Sequence, residues 1–351
     1  MGFSVTNEDL QGRPGSLVDK GIARKLSPRR LSVAPMLDWT DRHYRYFARQ
    51  ITRHAWLYTE MVTTGALLHG DVERHLRFDE AEHPLALQLG GSEPAELARC
   101  AKLAAEWGYD EVNLNVGCPS ERVQKGAFGA CLMAEPQLVA DCVKAMRDAV
   151  SIDVTVKHRI GIDRIEHYDY LSDFVGQVAD AGCRTFIVHA RNAILKGLSP
   201  KENREIPPLK YDYVYRLKQE RPDLEVLING GVKSQADIDE HLRHVDGVMV
   251  GREAYHNPWL MADWDQRYYG GGAAPEREQV VAAMMPYVAA RLAEGHKTRN
   301  IARHILGLFQ GIPGARNWRR MLSDAKLLDG ADERLLQQAL EATLGAARRA
   351  E

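Results

Sequence analysis

Glu111-Val112-Asn113-Leu114-Asn115-Val116-Gly117-Cys118-Pro119-Ser120 is the stretch on which the reading of this chain turns. Glu111 to Asn115 has the make-up of a buried strand, and a tight loop bounded by Gly117 and Pro119 follows, carrying one cysteine. In an α/β barrel the loops at the carboxyl ends of the strands hold the chemistry. A thiol with an ordinary pKa of about 8.5 is mostly protonated at neutral pH. Cys118 is therefore placed to give up a proton or, if activated, to attack as a thiolate. Taken alone, the cysteine reads first as a small residue filling a turn, and its surroundings are what favour chemistry.

Outward from this stretch, short β-prone runs alternate with longer helical patterns from Leu31 onward, which argues for βα units and a parallel sheet. Eight strands are expected, centred on Val33, Leu57, Leu87, Val112, Val154 to Val156, Phe186 to Val188, Val226 to Ile228 and Val248 to Val250. Helices are expected at Pro94 to Trp107, Gln137 to Ala149, Tyr168 to Ala181, Tyr211 to Gln219 and Ser234 to Arg243. Ser92 is the expected N-cap of the first, and Ser234 caps the last at Asp237. This pattern fits a closed (β/α)8 TIM barrel over residues 29–270. A doubly wound sheet is the structural rival, but no G-x-G-x-x-G opens a helix after the first strand. The barrel is expected to end near Tyr269. Gly270 to Pro275 reads as a linker, and Arg277 to Ala350 as helical throughout except at Gly311-Ile312-Pro313-Gly314, forming a C-terminal helical bundle domain over residues 275–351. Residues 1–28 have no periodicity and are expected to form a mobile extension.

Composition narrows the class. At 351 residues and 45% hydrophobic, the chain can bury one large core and a smaller second one. A net charge of −2 means that a polyanionic partner would need a local basic patch rather than an overall basic protein. Five scattered cysteines without a CxxC pair argue against a disulfide framework or zinc knot and for a reducing cytoplasm. No apolar run reaches membrane-spanning length, and Glu8, Asp9 and Asp19 argue against an acid-poor transit peptide.

The strand ends gather polar groups. Ala34-Pro35-Met36-Leu37-Asp38 forms an apolar turn suited to a flat ring; strand three contains Gln88, strand four ends in Asn115, strand five carries Lys157 and strand six ends at His189. Singly, each has a structural explanation; in a barrel all converge on one mouth. Ile228-Asn229-Gly230-Gly231-Val232 and Val250-Gly251-Arg252 follow strands seven and eight, where this fold often holds phosphate. Lys157 suits the electron-accepting end of a flavin, and Gln88 offers donor and acceptor to a pyrimidine-like edge. A metal site is not expected, since His158 and His189 lack a carboxylate triad and no H-E-x-x-H occurs.

Ala34 to Arg42, Asn113 to Ser120, Val156-Lys157-His158-Arg159-Ile160-Gly161 and His189-Ala190-Arg191 together resemble the tRNA-dihydrouridine synthase family, over about Leu31 to Arg320. Lys196 to Arg204 (KGLSPKENR) resembles its A subgroup. The resemblance implies FMN in the barrel, reduced by NADPH, hydride delivery to C6 of a tRNA uridine, and Cys118 as the acid that protonates C5. It implies FMN contacts at Pro35, Met36, Leu37, Gln88, Lys157, His189, Asn229, Gly230, Gly231, Gly251 and Arg252, and a substrate contact at Asn115. It further implies that Lys201, Arg204, Asn317 and Arg320 set which tRNA site is read: uridine 20, often with 20a, in the D-loop.

A uridine in folded tRNA must be flipped out to reach such a pocket, with phosphate contacts elsewhere supplying much of the binding energy. Two regions offer them: the long loop Arg191 to Lys210, with Lys196, Lys201 and Arg204, and the stretch Arg291 to Arg320. The second sets Arg291, Lys297, Arg299, Arg303, Arg316, Arg319 and Arg320 against one acid, Glu294. Action as a monomer on tRNA is expected. The alternatives are an FMN barrel oxidoreductase of a free pyrimidine and a non-catalytic tRNA-binding protein.

Overall fold

The computed structural model describes residues 26–120 and 126–348. Eight parallel strands run β1 (Leu31–Val33), β2 (Leu57–Thr63), β3 (Leu85–Gly90), β4 (Glu111–Val116), β5 (Asp153–Arg159), β6 (Thr185–His189), β7 (Glu225–Asn229) and β8 (Gly247–Val250). Neighbours pair in sequence order and β1 pairs with β8. A bridge between Ser32 and Trp56 closes the ring, with Val33 N–H donating to Trp56 O at 3.0 Å and Trp56 N–H to Leu31 O at 2.9 Å. Every expected strand centre lies in one of these strands.

Strand side chains alternate between faces. On β4, Val112, Leu114 and Val116 belong to the main core between sheet and helices, while Glu111, Asn113 and Asn115 are buried polar residues on the other parity. The barrel interior has a small apolar cluster of its own: Ala34, Tyr58, Ala86, Ile187, Leu227 and Met249. Below that layer, Arg29 bonds Glu111 at 2.6 Å, Asp153 at 2.5 Å and Glu225 at 3.1 Å, with its guanidinium 4.4 Å from the Trp56 ring.

The outer helices include Pro94–Glu106, Pro136–Ala149, Tyr168–Asp180, Tyr211–Glu220 and Gln235–Leu242. Ser234 caps as expected, accepting from Asp237 N–H while the Asp237 carboxylate accepts from Ser234 N–H. Ser92 does not cap. Glu93 occupies that position without a side-chain bond, and Pro94 at the first helical position removes one N–H that would need a partner.

After the helix Trp264–Tyr269 the chain turns through Gly270 in the left-handed region. The C-terminal part is helical at Arg277–Ala293, Thr298–Ile305, Ala315–Ser323, Ala325–Leu328 and Arg334–Ala347. It is less continuous than expected. Besides the break at Gly311 to Gly314, the helices stop at Glu294-Gly295, at Asp324 and at Asp329 to Glu333, because Gly295 takes a positive φ and Asp324 accepts from Lys326 and Leu327 N–H as a new cap. Trp318 is fully buried, donating to Ile305 O at 2.8 Å. This part docks on the barrel helix Arg42–Ile51, which Asp41 caps. Asp41 also meets Arg303 and His304, each at 2.9 Å, and His43 meets the Tyr287 hydroxyl at 2.8 Å. Burial pushes the His43 imidazole down to about 3, so it is neutral there. Of the expected extension, residues 1–25 lie outside the described residues; Ser27 bonds the Glu225 carboxylate.

Candidate active site

The loop after β4 is held from several sides. Asn115 Oδ1 accepts from Gly117 N–H at 3.1 Å and Cys118 N–H at 3.0 Å, and Cys118 O accepts from Ala130 N–H at 2.9 Å. The Cys118 thiol is half-buried and lies 3.5 Å from the Ser120 hydroxyl.

Below this loop the inward side chains form one directed chain. Asn115 Nδ2 donates to Gln88 Oε1 at 2.9 Å, Gln88 Nε2 to Asn113 Oδ1 at 2.8 Å, and Asn113 Nδ2 to Thr155 Oγ1 at 2.7 Å. Thr155 in turn donates to the Glu111 carboxylate. Both ends are groups whose polarity is fixed: backbone N–H donors at the mouth and a carboxylate paired with Arg29 at the floor. Every amide between them therefore has one orientation, and such a chain polarises itself. Each amide NH2 spends one N–H in the chain and keeps a second. Gln88 and Asn115 thus remain able to donate to a ligand at the mouth.

Lys157 and His189 lie beside Asn115 and Asn229 through the strand registers. Neither side chain has a hydrogen-bond or ion-pair partner among the described residues. Burial, with Arg159 adding repulsion, pushes the Lys157 ammonium from its ordinary 10.5 to about 7. Burial, then Arg159, Lys157, Arg191 and Arg204, drives His189 well below the usual imidazole range, so the ring is neutral. Among the described residues the mouth thus carries a surplus of cations, and Glu205 is paired with Arg252 at 2.6 Å.

The two glycine turns have different causes. Gly230 (φ +118°) lies so close over His189 that a Cβ there would stand 2.8 Å from the ring, and a Cβ on Gly231 (φ +75°) would meet the Tyr211 hydroxyl at 2.6 Å. Above Gly251 the nearest side-chain atom is Ala34 Cβ at 3.9 Å, so that turn borders open space. Asn229 donates to Met249 O at 2.8 Å. On the first loop, Met36 is tied to Thr40 in both directions, and Leu37 is 66% exposed. Unpartnered Lys157 and His189, spare amide donors and an open glycine turn fit an anionic ligand with a flat polar ring.

The structure thus gathers Gln88, Asn115, Cys118, Lys157, His189, Asn229 and the glycine turns at one end of the barrel. Lys201 and Arg204 are exposed on the loop after β6, around the single turn Glu202–Arg204. Asn317 and Arg320 sit on the helix Ala315–Ser323, where Asn317 donates to Ala342 O at 3.1 Å and Arg320 is exposed. Among the described residues, no hydrogen bond joins Asn317 or Arg320 to the mouth. The basic C-terminal stretch is less free than its sequence implies: Arg291 pairs with Glu294 at 2.7 Å and Arg303 with Asp41 at 2.9 Å. Sequence reasoning missed Asn113, Thr155 and Glu111. The alternation of polar and apolar residues in Glu111 to Val116 was the signal that held two of them. Among the described residues, no group of three His, Cys, Asp or Glu is arranged to hold a metal ion.

A family model described as dihydrouridine synthase matches residues 32–344. The chain belongs to the dihydrouridine synthase family. Curated relatives agree: the tRNA-dihydrouridine(20/20a) synthase of Pseudomonas aeruginosa is 61% identical over 319 residues, covering 90% of this chain and 96% of that one. Its counterpart in Shewanella oneidensis is 62% identical over 304 residues (86% and 90%), and that in Salmonella typhi 60% over 314 (89% and 94%). Among solved structures, 2-naphthoyl-CoA reductase with 2-naphthoyl-CoA superimposes with a TM-score of 0.52 at 11% identity, covering 68% of this chain and 50% of that chain. TcOYE with pHBA gives 0.50 at 13%, covering 72% and 92%. At such identity these two show the shared barrel and no more. The dihydrouridine synthase family reduces uridine in tRNA with a flavin, and no helix among the described residues is long and apolar enough to cross a membrane.

Proposed function

We propose that this protein reduces the C5–C6 double bond of uridine 20, and of 20a, in the D-loop of tRNA, with FMN as its flavin and NADPH as the reductant. The observation that carries the reading is the mouth of the barrel. Cys118 is fixed by Asn115 beside two unpartnered polar groups, Lys157 and His189, within a surplus of positive charge. Pro35, Met36, Leu37, Gln88, Lys157, His189, Asn229, Gly230, Gly231, Gly251 and Arg252 hold the cofactor in this reading. When bound, FMN supplies the hydride for C6.

The remaining steps belong to the chain. Cys118 gives its proton to C5 from the opposite side of the pyrimidine, and the Ser120 hydroxyl, 3.5 Å away, accepts from the thiol before transfer. The spare N–H of Asn115 meets a uracil carbonyl. Lys157 and Arg252 oppose the negative charge of the cofactor. Lys201 and Arg204 beside the mouth, with Asn317 and Arg320 on the C-terminal helices, set which tRNA position enters. Residues 275–351 act as the RNA-binding domain, the protein works as a monomer, and five free cysteines suit the cytoplasm.

The test is a dihydrouridine map of tRNA from cells lacking the gene. Loss at position 20, with or without 20a, restored by the native protein and not by Cys118→Ala, supports the reading. An unchanged map, together with reduction of free uracil by the purified protein, overturns it in favour of a small-pyrimidine reductase.

A further inference from the structure

Arg159 ends β5 with a side chain 3% exposed, and no carboxylate among the described residues pairs with it. Among the described residues its bonds all go to backbone carbonyls. Nε donates to Gly117 O at 3.1 Å, and Nη1 donates to Asn203 O at 2.8 Å and Asn192 O at 3.2 Å. Gly117 immediately precedes Cys118. Asn192 opens the loop after β6, and Asn203 lies within the turn Glu202–Arg204, between Lys201 and Arg204.

That loop is stiff from within. Asn203 is fully buried, its Oδ1 accepting from Ile194 N–H at 2.8 Å and its Nδ2 donating to Ile194 O at 2.8 Å. Pulling on Asn203 O therefore moves the whole turn. Burying an unpaired cation is costly: burial lowers the group to about 10, the neighbouring Cys118 thiol acts the other way, and Arg204 and Arg191 add repulsion. A structural strut would not need a charge set among like charges. A planar guanidinium is suited to holding two loops at once, which the point charge of a lysine is not.

We propose that Arg159 is a positioning residue that couples the loop reading the RNA to the placement of Cys118. When Lys201 and Arg204 engage the nucleic acid, the shift of Asn203 O is passed through one rigid guanidinium to Gly117 O, and so to the thiol. This rests on the reading of Cys118 and of the Lys201–Arg204 loop given above.

The experiment uses full-length protein loaded with FMN, as Arg159→Lys and Arg159→Ala, with Cys118→Ala as reference. Flavin reduction by NADPH and flavin reoxidation by an unmodified tRNA transcript are followed separately, with amide hydrogen exchange measured without RNA. Arg159→Lys is expected to leave reduction by NADPH and tRNA affinity within about twofold and to slow reoxidation by about 100-fold, as a misplaced reacting group does. Guanidinium ion should restore part of the rate in Arg159→Ala but not in Arg159→Lys. The backbone around Gly117 and from Asn192 to Arg204 should lose exchange protection together. Reoxidation at the native rate, a parallel fall in reduction, or loss of protection in one loop alone would overturn the assignment. If Cys118→Ala reoxidises normally, the reading of Cys118 fails instead. If Cys118→Ala is slow while Arg159→Lys is fast, only the coupling role fails.

Discussion

The two ends of this barrel use the same residue types for opposite purposes. At the floor, Arg29 is enclosed by Glu111, Asp153 and Glu225, and Thr185 and Tyr58 bond two of these acids. There the cation is fully paired, by carboxylates in excess. At the mouth, Lys157, Arg159, Arg191 and Arg204 crowd around His189, and the nearby Glu205 is already paired with Arg252. Charge there is left over. A buried cation without a counter-ion weakens the fold, so the surplus is consistent with the anionic ligand proposed for the mouth, while the paired floor needs none.

The contrast can be broken by experiment. Cys118→Ala should lower tRNA-dependent turnover by about 10^2- to 10^4-fold without altering stability or flavin affinity, measured by single-turnover reoxidation and thermal melting. Arg29→Met should do the reverse. It strands Glu111, which is 0% exposed, and should cost about 3–5 kcal/mol in a denaturant titration while flavin affinity in the cold stays native. A floor variant that weakens flavin binding would show that the amide chain transmits to the mouth.

Lys157 gives a pH signature with a defined sign. From about pH 7 to 10.5 the unfolded chain holds this proton and the folded apoprotein does not, so stability of the apoprotein should rise with pH across that window. Affinity for FMN should fall over the same range, approaching about tenfold per pH unit, because binding the anion takes the proton back. Lys157→Met should flatten both profiles, read by calorimetry and fluorescence titration. Arg204→Ala with Arg320→Ala should reduce the slope of log affinity for tRNA against log salt by about 2. An unaltered slope would place the RNA elsewhere. The smallest effect is expected from Glu205→Gln, which frees Arg252 and should raise FMN affinity by no more than about fivefold. A drop would mean that Glu205 orients Arg252 rather than competing for it.

Much of this was legible before folding. All eight strands show as short apolar runs, because a parallel strand covered on both faces has little choice of composition. Gln88, Asn115, Lys157 and His189 stood out as polar breaks in those runs. Ser92 misled, because a proline two residues on already solves the capping problem at Pro94. The seven basic residues from Arg291 to Arg320 looked freer than they are because Asp41, which takes Arg303, lies 262 residues away.

The sequence by itself determined the alternation of strand and helix, the cysteine loop, the glycine turns and the family, since these depend on neighbours a few residues apart. Tertiary structure alone decided which polar groups have partners. The chain from Cys118 N–H to Glu111 draws on three strands, and Arg159 reaches carbonyls 33, 42 and 44 residues distant. Hydrogen bonds and charge pairing fall off over a few ångströms of space, and no pattern along the chain states which side chains will share that space.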